Sequence, residues 1–158
     1  IVGSEICIRD SGISFYCFYA GGVINLLDDY EDGTYTPTVN SNMSLQSSYD
    51  IFSYVKIGKV VTIRGLFYPN NNPSGTDAMT FTLPFASNNY TQIAGAGATG
   101  VMQRHISGAT DGVVVYIQDN VTYAELYKNG GSGSWAPVRN NDWISGMEVY
   151  FQTTYFAA

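Results

Sequence analysis

The sequence predicts an all-β domain, an antiparallel β-sandwich of jelly-roll-like form, and three observations carry that prediction. The chain of 158 residues holds 13 Tyr, 17 Gly and 15% aromatics, and aromatic and β-branched side chains suit a pleated, half-buried surface. Apolar positions alternate with period two, as in Val61, Ile63, Gly65 and Phe67 against Val60, Thr62, Arg64 and Leu66. Hardly any stretch spaces its apolar residues as a helix would. The length allows one hydrophobic core and is short for two.

Residues 5–9 and 13–19 read as a hairpin turning at Asp10-Ser11-Gly12. Its second strand, Ile13-Ser14-Phe15-Tyr16-Cys17-Phe18-Tyr19, is apolar on both faces, and such a strand must be buried on both. An isolated two-stranded ribbon cannot manage that in water. Three chains wrapped together at the end of a shaft can, and so can a core strand of the same domain. A hairpin loop of two or three residues puts Cys7 opposite Tyr16 or Phe15, so a bridge to Cys17 needs a slip of register. Two small buried hydrophobes are the simpler reading of the cysteines.

Ala20-Gly21-Gly22 is a break, and residues 28–33 read as a turn, where Asp bonds neighbouring backbone and Gly accepts positive φ. Residues 34–39 are extended, with Pro37 confining them to an edge or a strand end. Ile57-Gly58-Lys59-Val60 is a tight hairpin with Gly at its first central position, as a type II′ turn requires. Residues 68–77 are a loop, and 79–83 a strand that stops at Pro84. The small, Gly-rich residues 93–102 suit a bulged strand or close backbone approach. Residues 113–118 and 121–128 form a hairpin around Asp119-Asn120, 129–134 a loop, 135–138 a short strand and 139–142 a turn. Residues 147–155 close the chain, alternating Met147, Val149, Phe151 and Thr153. About nine or ten short strands without a repeat suit a sandwich or jelly roll.

Only 13% of the residues are charged, so part of the surface is expected to be covered by other copies of the chain. A net charge of −6, with seven scattered Lys and Arg, argues against nucleic acid as a partner. No apolar run approaches the ~20 residues needed to cross a bilayer. The chain opens Ile1-Val2-Gly3 without Met and without a secretory leader pattern, so it reads as a fragment or a processed product.

One stretch is more specific. Residues 27–39 read Leu-Asp-Asp-Tyr-Glu-Asp-Gly-Thr-Tyr-Thr-Pro-Thr-Val, and after a polar loop comes Tyr-Val-Lys-Ile-Gly-Lys-Val-Val-Thr-Ile-Arg-Gly at residues 54–65. Asp28, Asp29, Tyr30, Glu31, Gly33, Thr34, Thr36, Pro37 and Thr38, then Tyr54, Lys56, Gly58, Val61 and Gly65, form the pattern. Leu83-Pro84-Phe85, Ser145-Gly146 and Thr154-Tyr155 follow it more loosely. This resembles the distal, C-terminal domains of tailed-bacteriophage tail fibres and related virion appendage proteins, from Leu27 to the end of the chain. The resemblance implies residues 1–27 as the end of a shaft with a linker and 28–158 as a β-sandwich head. It further implies a homotrimer, carried on a virion beside other tail proteins, that attaches to a host-surface glycan or other receptor. Its motifs are structural and name no receptor. A trimerisation tip, or a capsid or collar decoration domain, would carry the same motifs.

Catalytic and metal chemistry find little support. His105 is the only histidine, and no Gly-x-Ser-x-Gly elbow marks an activated serine. Asp77, Asp111, Asp119, Glu125, Asp142 and Glu148 are the candidates for paired glycosidase carboxylates, and none stands above the rest. One His and two Cys make no zinc set, and the acidic Asp28, Asp29, Glu31 and Asp32 suit a solvated turn as well as calcium. The chain therefore reads as non-enzymatic, with no cofactor.

Binding has a better signature, because aromatic faces cover the C–H surfaces of sugars while Asn, Asp and Arg pair with hydroxyls. Tyr68 with Asn70, Asn71, Asn72 and Asp77 makes one such cluster; Trp135 with Arg139, Asn140, Asn141, Asp142 and Trp143 makes the other. Loops at the end of a rigid scaffold are where such sites lie. Each Trp equally suits a core or a subunit interface.

Overall fold

The protein is seen in a computed structural model that describes residues 6–9, 12–15, 30–40, 42–70, 74–89, 101–103, 112–129, 134–143 and 146–158. Their regular elements are strands, with one 3-10 turn at Asn140–Asp142. The strands are β1 (Ile6–Arg9), β2 (Gly12–Phe15), β3 (Tyr30–Tyr35), β4 (Phe52–Ile57), β5 (Val60–Phe67) and β6 (Thr80–Thr82). After them come β7 (Val101–Gln103), β8 (Val113–Tyr116), β9 (Tyr123–Asn129), β10 (Trp135–Pro137) and β11 (Val149–Phe156). All the pairings are antiparallel, so the chain is all-β.

Three sheets result. β1 and β2 pair with each other; a five-stranded sheet runs β3-β4-β5-β11-β7; a four-stranded sheet is organised around β9. β9 meets β8 through Val113↔Lys128 to Tyr116↔Glu125. Its residues 127–129 also pair with β10 and its residues 123–125 with β6. The Gly58-Lys59 turn joins Ile57 to Val60, with Gly58 at φ +57°, as the type II′ geometry expects.

Alternation decides which side chains form the core. Val61, Ile63 and Phe67 on β5 are fully buried, and Met147, Val149, Phe151, Thr153 and Tyr155 are buried along the last segment, as the period-two pattern predicts. Val113, Val115, Ala124 and Leu126 join them from the four-stranded sheet. Phe81 on β6 ties the two sets together. Its ring lies 5.5 Å from Phe52, 5.0 Å from Phe151 and 6.0 Å from Phe67. Edge-on and tilted contacts at these distances are favourable for aromatic quadrupoles.

Three expectations need correction. From Tyr30 on, the acidic stretch is a strand and not a turn: Tyr30, Glu31, Asp32 and Gly33 lie in β3, paired with residues 54–57 of β4. Charged side chains suit an edge strand, because they discourage further pairing, and β3 ends its sheet. Cys7 pairs with Ser14, because only two residues separate Arg9 from Gly12. Cys17, Tyr16 and Phe18 lie outside the described residues. The hairpin of β8 and β9 closes at Tyr116↔Glu125, not beside Asp119-Asn120. The intervening loop is held instead by Ser87, whose Oγ donates to Gln118 O (2.7 Å) and accepts from Val121 N–H (2.9 Å).

Two tyrosines make the core pH-sensitive. Tyr155 Oη donates to Phe85 O (2.8 Å) and accepts from Phe85 N–H (3.3 Å). Burial pushes the hydroxyls of Tyr35 and Tyr155 well above their ordinary value of 10.0, although the bond to Phe85 works against that at Tyr155. The unfolded chain therefore loses these protons at lower pH than the folded chain does. Their contribution to stability is complete below about pH 10 and is lost as pH rises toward the folded values. The midpoint of urea unfolding is expected to fall steeply above pH ~10, and Tyr35→Phe should flatten that fall. A midpoint unchanged from pH 9 to pH 12 would contradict the burial argument.

Candidate functional site

The two loop clusters meet in one place, and there they hold each other. Ala78 bridges Arg139; Asn140 N–H donates to Asp77 O (3.0 Å) and Asn141 N–H to Gly75 O (3.1 Å). Asn140 is fully buried, receiving Asn40 Nδ2 on its Oδ1 (2.9 Å) and donating through Nδ2 to Ser74 O (3.1 Å). The Arg139 guanidinium donates to Thr76 O. Asp142 accepts from Arg139 N–H (2.8 Å) and pairs with Lys128 Nζ (2.6 Å). A buried amide with its groups matched by protein is a structural clasp.

Two candidate contacts are therefore corrected. Trp143 is only 3% exposed, its ring edge-on to Phe67 at 5.5 Å, because an apolar indole following the turn is drawn into the core. Asn140 is buried for the hydrogen bonds just given. Tyr68 is half-buried against the Tyr49 ring (5.8 Å), and Asn70, Asp77 and Asn141 are exposed. Asn71 and Asn72, like Asp28, Asp29 and His105, lie outside the described residues.

Trp135 faces elsewhere. It is 54% exposed and lines an open cleft of about 480 Å³ with Val114, Tyr116 and Tyr127. The register explains the grouping. Val113, Val115, Ala124 and Leu126 turn into the core, so Val114, Tyr116 and Tyr127 turn away from it, and Trp135 stands two positions from Pro137, the partner of Tyr127. The Tyr116 and Tyr127 rings touch edge-on at 5.2 Å. Burial, followed by the charge of the nearby Glu125 carboxylate, raises the Tyr127 hydroxyl above its ordinary value. Sequence reasoning found Trp135, considered Glu125 only as a catalytic carboxylate, and missed Tyr116 and Tyr127. The alternation of both strands of the hairpin was the signal that could have grouped them.

The five-stranded sheet also has an open face. Thr34, Ser53, Arg64 and Gln152 form a polar row across β3, β4, β5 and β11, in a trough of about 500 Å³. Arg64 Nε donates to Ser53 Oγ (3.2 Å). At one end of this face Tyr30, Ile57, Val60 and Phe156 form an exposed apolar row, aligned by the pairings Tyr30↔Ile57, Ile57↔Val60 and Val60↔Phe156. No group of three or more His, Cys, Asp or Glu is placed to hold a metal among the described residues.

No protein-family model matches this chain, and neither does any curated protein sequence.

Proposed function

We propose that this chain is the distal head of a virion attachment appendage, a tail fibre or relative, which meets a host-surface glycan as a non-enzymatic homotrimer. The observation that carries the reading is the way the residues of the resemblance depend on one another. Glu31 pairs with Lys56 and Gly33 with Tyr54 across β3 and β4. Tyr54 Oη donates to Glu31 Oε1 (2.7 Å), and a side chain at Gly33 would come within 3.0 Å of that same Oη. Gly58 supplies the turn, and Gly65 lies beneath the Phe52 ring. A pattern of residues that lock one another's positions is what a fibre head would keep while its receptor changed.

In this reading the two larger sheets are the layers of a jelly-roll-like β-sandwich, sharing one core. Residues 28–158 are the head, and residues 1–27 the end of the shaft. The exposed row of Tyr30, Ile57, Val60 and Phe156 supports the homotrimer, since contiguous apolar surface favours association. Weak recognition repeated over three heads then gains strength through effective concentration. The same row also favours the rival reading, a structural tip or decoration domain that assembles and binds nothing.

Light scattering at micromolar concentration is expected to report three chains, and Val60→Asp with Ile57→Asp to reduce them to one. A stable monomer of the parent chain would overturn the trimer. Adsorption separates the two readings: the isolated head should compete with the virion for host cells, and a head that trimerises without competing is a structural tip.

A further inference from the structure

We propose that the cleft of Trp135, Tyr116 and Tyr127 binds an uncharged pyranose, with the ring stacked on Trp135 and its hydroxyls paired to Glu125 and Tyr127. The inference rests on the attachment reading and names the chemistry of the receptor that reading requires. Its basis is the shape and composition of the cleft itself. The opening of about 480 Å³ lies within the range of roughly 300–1,000 Å³ typical of small-molecule sites. An apolar floor with few polar groups at its edge is the usual composition of such a site. Here Val114 and the aromatic rings supply the floor, the Tyr116 and Tyr127 hydroxyls are the polar groups, and Glu125 adjoins the cleft as the register partner of Tyr116.

A sugar ring has the matching two-sided chemistry: axial C–H bonds on one face and hydroxyls around the rim. The C–H face needs a flat, exposed π-surface, which Trp135 presents with more than half of its area open. The rim hydroxyls need an acceptor held in place. Glu125 qualifies, because it stands opposite Tyr116 in the register and, with Ala124 and Leu126 turned into the core, shares the outward face of β9 with Tyr127. A carboxylate acceptor is twice as strong as a neutral one and repels an anion. With a chain charge of −6 behind it, this excludes sialic and uronic acids as the preferred ligand.

Aromatic groups beside a carboxylate also suit quaternary ammonium ions. Such an ion needs rings spaced to surround it. Tyr116 and Tyr127 are already in contact with each other at 5.2 Å, which leaves no room between them for a cation.

The test exploits the two tryptophans. Trp143 is buried and Trp135 exposed, so a sugar stacking in the cleft changes the emission of Trp135 alone. The intact chain would be titrated with neutral oligosaccharides of glucose, galactose, mannose and N-acetylglucosamine, with sialylated and uronic oligosaccharides, and with choline. A blue shift with a neutral sugar is expected. Trp135→Phe should keep the fold by circular dichroism and remove the shift. By saturation-transfer NMR, Trp135→Ala and Tyr116→Ala should each weaken binding about tenfold or more, as loss of a central aromatic anchor does, and Glu125→Gln should weaken it less. Preference for acidic sugars or choline overturns the ligand class. Neutral-sugar binding that survives Trp135→Ala and Tyr116→Ala overturns the site while leaving the attachment reading intact. No sugar binding together with no competition for host cells overturns both, whereas competition without sugar binding overturns the inference alone.

Discussion

Replacing Ile63 by Asp is expected to abolish soluble folded protein. Ile63 is fully buried at the middle of β5, between β4 and β11, with Tyr54 and Thr153 as its pairing neighbours. Losing the buried side chain removes about 1.5–3 kcal/mol of apolar transfer energy. A carboxylate there has no cation to pair with and must take up a proton. Full burial raises a carboxyl by up to ~3–5 pKa units, and taking up the proton at neutral pH then costs roughly 4 kcal/mol. The sum rivals the roughly 5–15 kcal/mol that holds a domain of this kind together. Arg64→Asp, one residue along but on the exposed face, should cost far less, because its side chain stays in water. The comparison is read from soluble yield and from the urea midpoint of each protein. An Ile63→Asp protein that expresses and unfolds like its parent would show that β5 turns its other face to the core.

That contrast also shows why so much of the fold could be read in advance. Period-two alternation is a direct consequence of strand geometry, so Val61, Ile63 and Phe67 sort themselves to one face wherever the strand is placed. The same rule held for Met147, Val149, Phe151 and Thr153. Registers were less legible, since a shift of one or two residues at a turn leaves local composition unchanged, as at Arg9↔Gly12 and Tyr116↔Glu125. The acidic β3 was misread because Asp and Gly disfavour strands on average, while an edge strand accepts them. Candidate sites were harder still. Loop composition could not tell that Asn140 bonds across to Asn40, 100 positions away, and to Ser74, 66 positions away. Nor could it distinguish Trp135 from Trp143, whose exposures of 54% and 3% are set by tertiary contacts that no single segment encodes.

Gly65→Ala is expected to destabilise the domain by about 3 kcal/mol, at the upper end of what overpacking a core costs. The reason is contact, not backbone freedom. A methyl group at Gly65 would lie 2.3 Å from Phe52 Cδ1 and 2.7 Å from Phe52 Cγ, far inside van der Waals distance. The ring cannot retreat easily, since Phe52 is fully buried and its ring is wedged among Tyr35 (5.9 Å), Phe81 (5.5 Å) and Phe151 (5.0 Å). Gly58→Ala provides the opposite case. Nothing lies within 4 Å of the added methyl there, and the cost is that of a left-handed backbone at φ +57°, about 1–2 kcal/mol. For a chain of this size each kcal/mol shifts the melting temperature by roughly 2–4 °C, so Gly65→Ala should melt about 6–12 °C below the parent and Gly58→Ala closer to it. The mechanism is separable by a double substitution. Shrinking the ring with Phe52→Leu makes room for the methyl, so Gly65→Ala should cost much less in that background than in the parent. If the two substitutions are simply additive, the ring is not what excludes a side chain at residue 65, and the account of why the motif holds Gly65 loses its physical basis.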